Sequence, residues 1–341
     1  MAGLAGSVAQ AQPPAPALGP RQIPARTLAV PADVSPQMQA IIGGAVRPGW
    51  NTPPATPQAW GAFAEAGATG GRRNLPALLE RLQVDMQITQ MGGVRVFVLT
   101  PKTIRPENRN RLLIHVHGGC YVLNPGEAGV AEAAFMAGFG GFKVVSVDYR
   151  MPPQAYFPAA LDDAMAVWRA ALKTNKARNM AIFGSSAGGA LTLEMVLRAK
   201  ADKLPLPAAI APGTPMSDLT GVGDSFQTNA FVDNVLVSPE GFCDAAAKLY
   251  ANGHDLKDPL LSPIYGDVSG FPPTILTTGT RDLLLSNTVR MHRRLRQAGV
   301  EASLQVFEGQ AHAAYYRDAT APESREAFTE IAAFFDKRLG R

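Results

Sequence analysis

The chain is short of charge and of cysteine. Asp, Glu, Lys and Arg make up only 18% of its 341 residues against 46% hydrophobic ones. Such a composition excludes an intrinsically disordered polymer and supplies the apolar mass for a large buried core. The 32 basic and 28 acidic residues leave a net charge of +4, spread without long runs of one sign. There is no basic stripe, no zinc-finger spacing and no RNA-binding aromatic signature, which argues against a nucleic-acid partner. No apolar run reaches the ~18 residues of a membrane-spanning helix. The two cysteines, Cys120 and Cys243, do not make a disulfide scaffold or a metal cluster. At about 150 residues per domain, the length fits one large domain or two ordinary ones.

The first segment reads differently from the rest. Residues 1–20 carry no charge, and proline is dense from Pro13 to Pro57. Proline fixes φ and removes a backbone donor, so no regular core element is expected there. Ala9-Gln10-Ala11 has the small-x-small pattern of a signal-peptidase site, although the positive start and longer apolar run of a complete signal are missing. Residues 1–31 are therefore read as a flexible tail carrying the end of an export signal. This points to a periplasmic or secreted protein, and otherwise to a cytoplasmic one. From Val34 to Leu82 the pattern becomes helical, in PQMQAIIGGAV and again in NLPALLERL, with Trp50, Trp60 and Phe63 between them. Residues 32–85 are expected to form helices capping a site, with the aromatics as packing residues or as its apolar wall.

Beyond Leu82 strands alternate with helices. RVFVLT (95–100) has the alternating or fully apolar character of a strand, while LLIHVH (112–117), KVVSVDY (143–149) and NMAIF (179–183) are short apolar runs of the kind that buried parallel strands require. PAAIAP (207–212), TILTT (274–278) and SLQVF (303–307) read the same way. Apolar residues recur at helical spacing over 158–172, after residue 187, and over about 287–298 and 323–339. The alternation predicts an α/β fold, a mostly parallel central sheet flanked by helices, over 86–341.

Gly184-Ser185-Ser186-Ala187-Gly188 matches G-x-S-x-G between a predicted strand and a predicted helix, the context in which that motif makes a sharp turn exposing a nucleophilic serine. Ser186 is the expected nucleophile, at a helix N-terminus where negative charge is favoured. Ser185, the variable residue, either bonds locally or touches substrate. Upstream, His117-Gly118-Gly119-Cys120-Tyr121 ends a strand and parallels the H-G-G-G loop whose main-chain N–H groups bind an oxyanion. Gly119, Cys120 and Ala187 are the expected donors, with Gly118 permitting close approach and His117 orienting the loop. The Cys120 side chain is expected to crowd the pocket or to react with thiol reagents. Of the five histidines, His312 lies on the loop after the last strand, where the base belongs. His115 falls in a buried strand, His292 in a helix, and His254 in no motif. Asp282 follows TILTTGT at the carboxyl end of the preceding strand and is preferred as the acid over Asp258, Asp267 and Glu308.

Five blocks in order, HGGCYV (117–122), VDYRMPPQAYFPAALDDA (147–164), GSSAGG (184–189), SPIYGDVSGFPPTILTTGTRDLLL (262–285) and FEGQAHA (307–313), make the chain resemble the hormone-sensitive-lipase-like family of bacterial α/β-hydrolases. The resemblance spans about 90–340. It implies an α/β-hydrolase fold with an N-terminal helical cap, and hydrolysis of short- to medium-chain carboxylic esters. It implies no metal or organic cofactor, and it leaves a homodimer open. Ser185 and Cys120 depart from the usual blocks. The segment 216–250 falls where such proteins extend the pocket, so Phe226, Phe231 and Phe242 are expected near substrate, with Tyr121. The expected chemistry is acyl transfer through Ser186, His312 and Asp282 to a small-molecule ester, with activity rising with pH as His312 loses its proton. An amidase or lactonase would use the same residues. A non-catalytic ligand-binding relative is the reading from another class.

Overall fold

The computed structural model describes residues 19–340. The export-signal reading of residues 1–11 lies outside them. Strands form where the apolar runs occur: β2 (Val94–Pro101), β3 (Leu112–Val116), β4 (Lys143–Val147), β5 (Met180–Ser185), β6 (Ala209–Gly213), β7 (Thr274–Gly279) and β8 (Ala302–Phe307). With β1 (Val84–Met91) they make an eight-stranded sheet in the order β1-β2-β4-β3-β5-β6-β7-β8. The β1–β2 and β2–β4 pairs are antiparallel, and every later pair is parallel. This is the expected mostly parallel α/β sheet.

Among the described residues the helices are α1 (Pro36–Ile42), α2 (Pro57–Leu82), α3 (Ala131–Gly140), α4 (Ala159–Leu172), α5 (Ala187–Ala201), α6 (Ser225–Thr228), α7 (Phe242–Ala251), α8 (Leu285–Gln297) and α9 (Pro322–Asp336). The pleat divides the core between the two faces of the sheet. Ile114, Val116, Val145, Val147 and Ile182 join Trp168 of α4, Leu191 of α5 and Leu295 of α8 on one face. Leu113, Val144, Ala181 and Phe183 join Phe135 of α3 and Phe328 and Phe335 of α9 on the other. Both faces are covered over the middle of the sheet, so the parallel strands there read as near-continuous apolar runs, whereas β8 at the edge has an interrupted pattern.

Several elements differ from expectation, among them α6 and α7, which were not foreseen within 216–250. Trp60 and Phe63 do not lie between helices, because α2 is one helix of 26 residues that contains them. Thr56 caps its start by accepting from the Ala59 N–H, and Pro57 occupies the first turn, where its missing donor costs nothing. Trp60, Ala64, Ala68, Leu75 and Leu82 form one buried stripe along it, while Pro76 sits on the exposed side. β1 escaped notice because only Val84 of VDMQITQM is buried, as befits a strand at the sheet edge. α3 carries too little polarity to show a helical period: Glu132 to Ala137 are all buried between sheet and α9.

Candidate active site

The carboxyl ends of β3, β5, β7 and β8 carry the expected functional residues on the loops that follow them, the position where open parallel sheets bind ligands. β5 ends at Ser185 and α5 begins at Ala187, so Ser186 alone makes the turn, with φ 62° and ψ −123°. A side chain at Gly184 or Gly188 would collide with the Val116 carbonyl, so the two glycines let β3, β5 and α5 meet. The Ser186 N–H donates to the Gly213 carbonyl at 2.9 Å, and its own carbonyl accepts from Met216 N–H at 3.0 Å. The strained turn is thus fastened to the chain leaving β6.

Ser185 points the other way and is not a substrate contact. It is wholly buried, its N–H donates to Glu132 Oε2 at 3.1 Å, and its hydroxyl bonds to Glu132 and to Tyr315. Glu132 also meets His115 Nε2 at 3.2 Å. A buried polar group needs such partners, and this cluster braces the elbow from below.

Asp282 and His312 come together at the ends of β7 and β8. Oδ1 of Asp282 accepts from His312 Nδ1 at 3.1 Å and from the Leu284 N–H at 2.8 Å. Oδ2 accepts the hydroxyls of Thr278, at 3.0 Å, and of Thr214. An ionised carboxylate can only accept, so Nδ1 carries the proton and Nε2 the lone pair. Nε2 is buried without a hydrogen-bond partner in the described structure. Thr214 also lies 3.1 Å from His312 Nδ1, only two residues before the Met216 that bonds to Ser186. Neither threonine was singled out from sequence. Each is a hydroxyl at the end of an apolar strand, a signal readable only once the strand ends are known to converge.

At the end of β3 the glycine loop is tied back by its carbonyls. His117 Nδ1 donates to the Gly118 carbonyl at 2.8 Å, Asn124 donates to the same oxygen at 3.0 Å, and the Tyr149 hydroxyl donates to the His117 carbonyl at 2.6 Å. His117 stacks on Tyr149 with centroids 4.1 Å apart, and burial pushes its pKa down to about 4, so it stays neutral. Gly118 has no room for a side chain, since a Cβ would lie 2.7 Å from the Ser185 carbonyl oxygen. Among the described residues no main-chain acceptor takes the N–H of Gly119, Cys120 or Ala187. Tyr121 is fully buried behind this loop rather than facing substrate. Its hydroxyl donates to Glu194 at 2.8 Å, and its ring stacks on Tyr250 of α7 at 4.3 Å. Burial pushes the pKa of the Glu194 carboxyl well above its ordinary range, against the lowering effect of the Tyr121 hydrogen bond.

Cys120 is not a free thiol. It forms a disulfide with Cys243 at the start of α7, with Cα atoms 5.4 Å apart, and neither a reagent site nor a crowding thiol remains. A cavity of about 50 Å³ adjoins the bridge, lined by Met216, Leu219, Phe226, Leu236, Cys243 and Leu283. Phe226 is buried and lines this cavity, which borders Leu283 and Cys243 but none of Ser186, Asp282 and His312. Phe231 does not line it: the residue is 65% exposed and packs edge-on against Trp50. Phe242 is buried beneath Arg47 and Phe63, away from the cavity.

The sequence profile described as alpha/beta hydrolase fold matches residues 113–316, from β3 to beyond His312. The chain belongs to that family. Within this hydrolase family, the crystal structure of an esterase is similar at a TM-score of 0.90 and 44% identity, covering 94% of this chain and 99% of that one. The crystal structure of an esterase from the bacterial hormone-sensitive lipase family is similar at a TM-score of 0.77 and 28% identity, covering 90% and 99%. An acetyl-hydrolase of Streptomyces hygroscopicus is 28% identical over 243 residues, 71% of this chain and 81% of its own length. The resemblance to the hormone-sensitive-lipase group stated from the five blocks therefore stands. No helix of the described part of the hydrolase is long and apolar enough to cross a membrane.

Proposed function

We propose that the chain is a serine carboxylesterase that works through an acyl-enzyme. The observation that carries this reading is the Asp282–His312 pair. All four bonds accepted by the carboxylate are filled, and the imidazole is left with an unpartnered Nε2 in the loop cluster that holds the Ser186 elbow. In the first half-reaction Ser186 Oγ gives its proton to Nε2 and bonds to the ester carbonyl carbon. The carbonyl oxygen becomes an anion facing the N–H groups of Gly119, Cys120 and Ala187. His312 then protonates the leaving alcohol as the carbon–oxygen bond breaks. Water repeats the sequence on the acyl-enzyme, releasing the acid and restoring Ser186. Asp282 keeps its charge throughout and stabilises the imidazolium.

The cavity beside Leu283 and Cys243 is the best candidate for the acyl pocket. At about 50 Å³ it is far smaller than the roughly 300–1,000 Å³ of sites for drug-sized ligands, which favours acetyl and other short acyl groups. The name of the Streptomyces relative points the same way. α1, α2 and the segment 216–250 are read as the cap: Phe63 packs on Phe242 at 6.3 Å, and the Arg47 guanidinium lies 4.1 Å over the same ring. The disulfide supports an oxidising compartment, periplasmic or extracellular. The test is the rate of hydrolysis of p-nitrophenyl esters from acetyl to dodecanoyl. The optimum is expected between acetyl and butyryl, and Phe226→Ala is expected to move it to longer chains. An optimum at octanoyl or beyond would remove the cavity from this role.

A further inference from the structure

Asp233 belongs to none of the roles above, yet it is completely buried and touches the loops of both the acid and the base. Its Oδ2 accepts the N–H of Leu283, the residue after Asp282, at 2.8 Å, and the N–H of His312 itself at 3.2 Å. Its Oδ1 accepts the N–H groups of Val235 and Leu236 at 2.8 and 3.2 Å. One carboxylate thus joins the loop after β7, the loop after β8 and the segment 229–237, three stretches distant in sequence. Asn229 of the same segment adds a second brace, donating to the carbonyls of Thr280 and Asp282 at 3.1 and 2.8 Å.

From this bridge we infer that Asp233 is a positioning residue that fixes His312 against Asp282 and adds a second negative charge beside the imidazolium formed during turnover. Four N–H donors converge on its two oxygens, leaving a carboxyl proton nothing to bond to, so the geometry favours the anion. Burial, first, and the neighbouring Asp282 raise its pKa above the ordinary carboxylate range, and His312 and the N–H groups of Leu283 and Val235 offset that rise only in part. Asp282 and His312 are the titratable groups facing it from the β7 and β8 loops. Arg281 turns away to the Ala29 carbonyl, and Arg47, whose N–H reaches the Asn234 carbonyl, places its guanidinium over Phe242. A buried charge costs free energy unless its partners are in place, so this anion enforces one arrangement of the loops that supply its donors.

The inference rests on the serine esterase reading, and the two fail differently. Parent, Ser186→Ala and Asp233→Asn chains are compared on p-nitrophenyl acetate for kcat, KM and the pH dependence of kcat/KM. If the parent hydrolyses nothing, the reading of the site falls and this inference with it. With an active parent, Asp233→Asn is expected to lower kcat by roughly tenfold to a hundredfold, as a small displacement of a catalytic group does. KM should stay within about twofold. The acid limb should move to lower pH, because the imidazolium has lost one of its two neighbouring anions. A folded Asp233→Asn chain with parental kcat, or with an unmoved acid limb, overturns the proposal. If that chain does not fold, Asp233→Glu is measured instead. It keeps the charge but displaces it by a methylene, so kcat should fall while the acid limb stays. Parental kcat in that variant, or failure of both variants to fold, overturns the proposal, since either result leaves Asp233 with at most a structural duty.

Discussion

Ser186→Ala is expected to lower kcat/KM for p-nitrophenyl acetate by roughly 10⁴–10⁶ while leaving the fold intact. The size of the effect follows from what is removed. Oγ is the only atom proposed to bond to the acyl carbon, and without it neither the Asp282–His312 pair nor the N–H groups of the β3 loop have an intermediate to serve. The fold should survive because the elbow's restraints do not involve that atom. The turn is held by the Gly213 and Met216 main-chain bonds, by the space left at Gly184 and Gly188, and from below by Glu132 and Tyr315 through Ser185. Alanine has the same backbone cost as serine at φ 62°, so the unfolding midpoint should move little. A variant that keeps more than about a tenth of parental activity would mean that Ser186 is not the nucleophile. A variant that loses activity only because it unfolds would be recognised by its circular dichroism.

What could be read from the chain beforehand has a physical pattern. The strands β3 to β7 were legible because both faces of the sheet are covered there, which forces apolar runs; the G-x-S-x-G pattern after β5 then singled out Ser186, and the strand ends with the chain order made Asp282 and His312 the candidates for acid and base. Features that depend on meetings between distant loops were not legible. Asp233 reads as one more loop aspartate until the β7 and β8 loops are folded onto it, and Thr214 and Thr278 acquire meaning only when their hydroxyls converge on Asp282. Ser185 and Phe231 were misjudged for a related reason. Nearness in sequence to a site does not fix the direction of a side chain, and both point away: Ser185 into the cluster below the elbow, and Phe231 onto Trp50 at the surface. β1 and α3 lie at opposite extremes of burial, one almost wholly exposed and the other almost wholly buried, and neither extreme leaves a period to detect.

The bridge between Cys120 and Cys243 carries the other large expected effect. It closes a sequence separation of 123 residues and ties the loop that offers the Cys120 N–H to α7, the helix whose Tyr250 also stacks on Tyr121. Replacing both cysteines by serine is expected to reduce unfolding free energy by about 2–4 kcal/mol in urea titrations, the range typical of a native bridge across a long loop. Activity should fall as well, for a separate reason. The β3 loop holds Cys120 and Tyr121 at φ 53° and 63°, conformations that side chains other than glycine adopt only under restraint. The bonds to the His117 and Gly118 carbonyls fasten its start, whereas the disulfide and the Tyr121–Glu194 contact fasten its middle. With the bridge gone, the Cys120 position is held by the Tyr121 contacts and by the bonds from the Val122 and Leu123 N–H groups to the Gly119 carbonyl, and its N–H, the proposed oxyanion donor, is held less rigidly. Complete loss of such a donor costs about 10²–10³ in kcat, so a loosened one should cost about tenfold. Thiol titration of the parent chain, denatured without reductant, should find no free thiol. Two free thiols there, or a doubly substituted chain with parental stability and kcat, would remove the bridge from both roles and with it the support for an oxidising compartment.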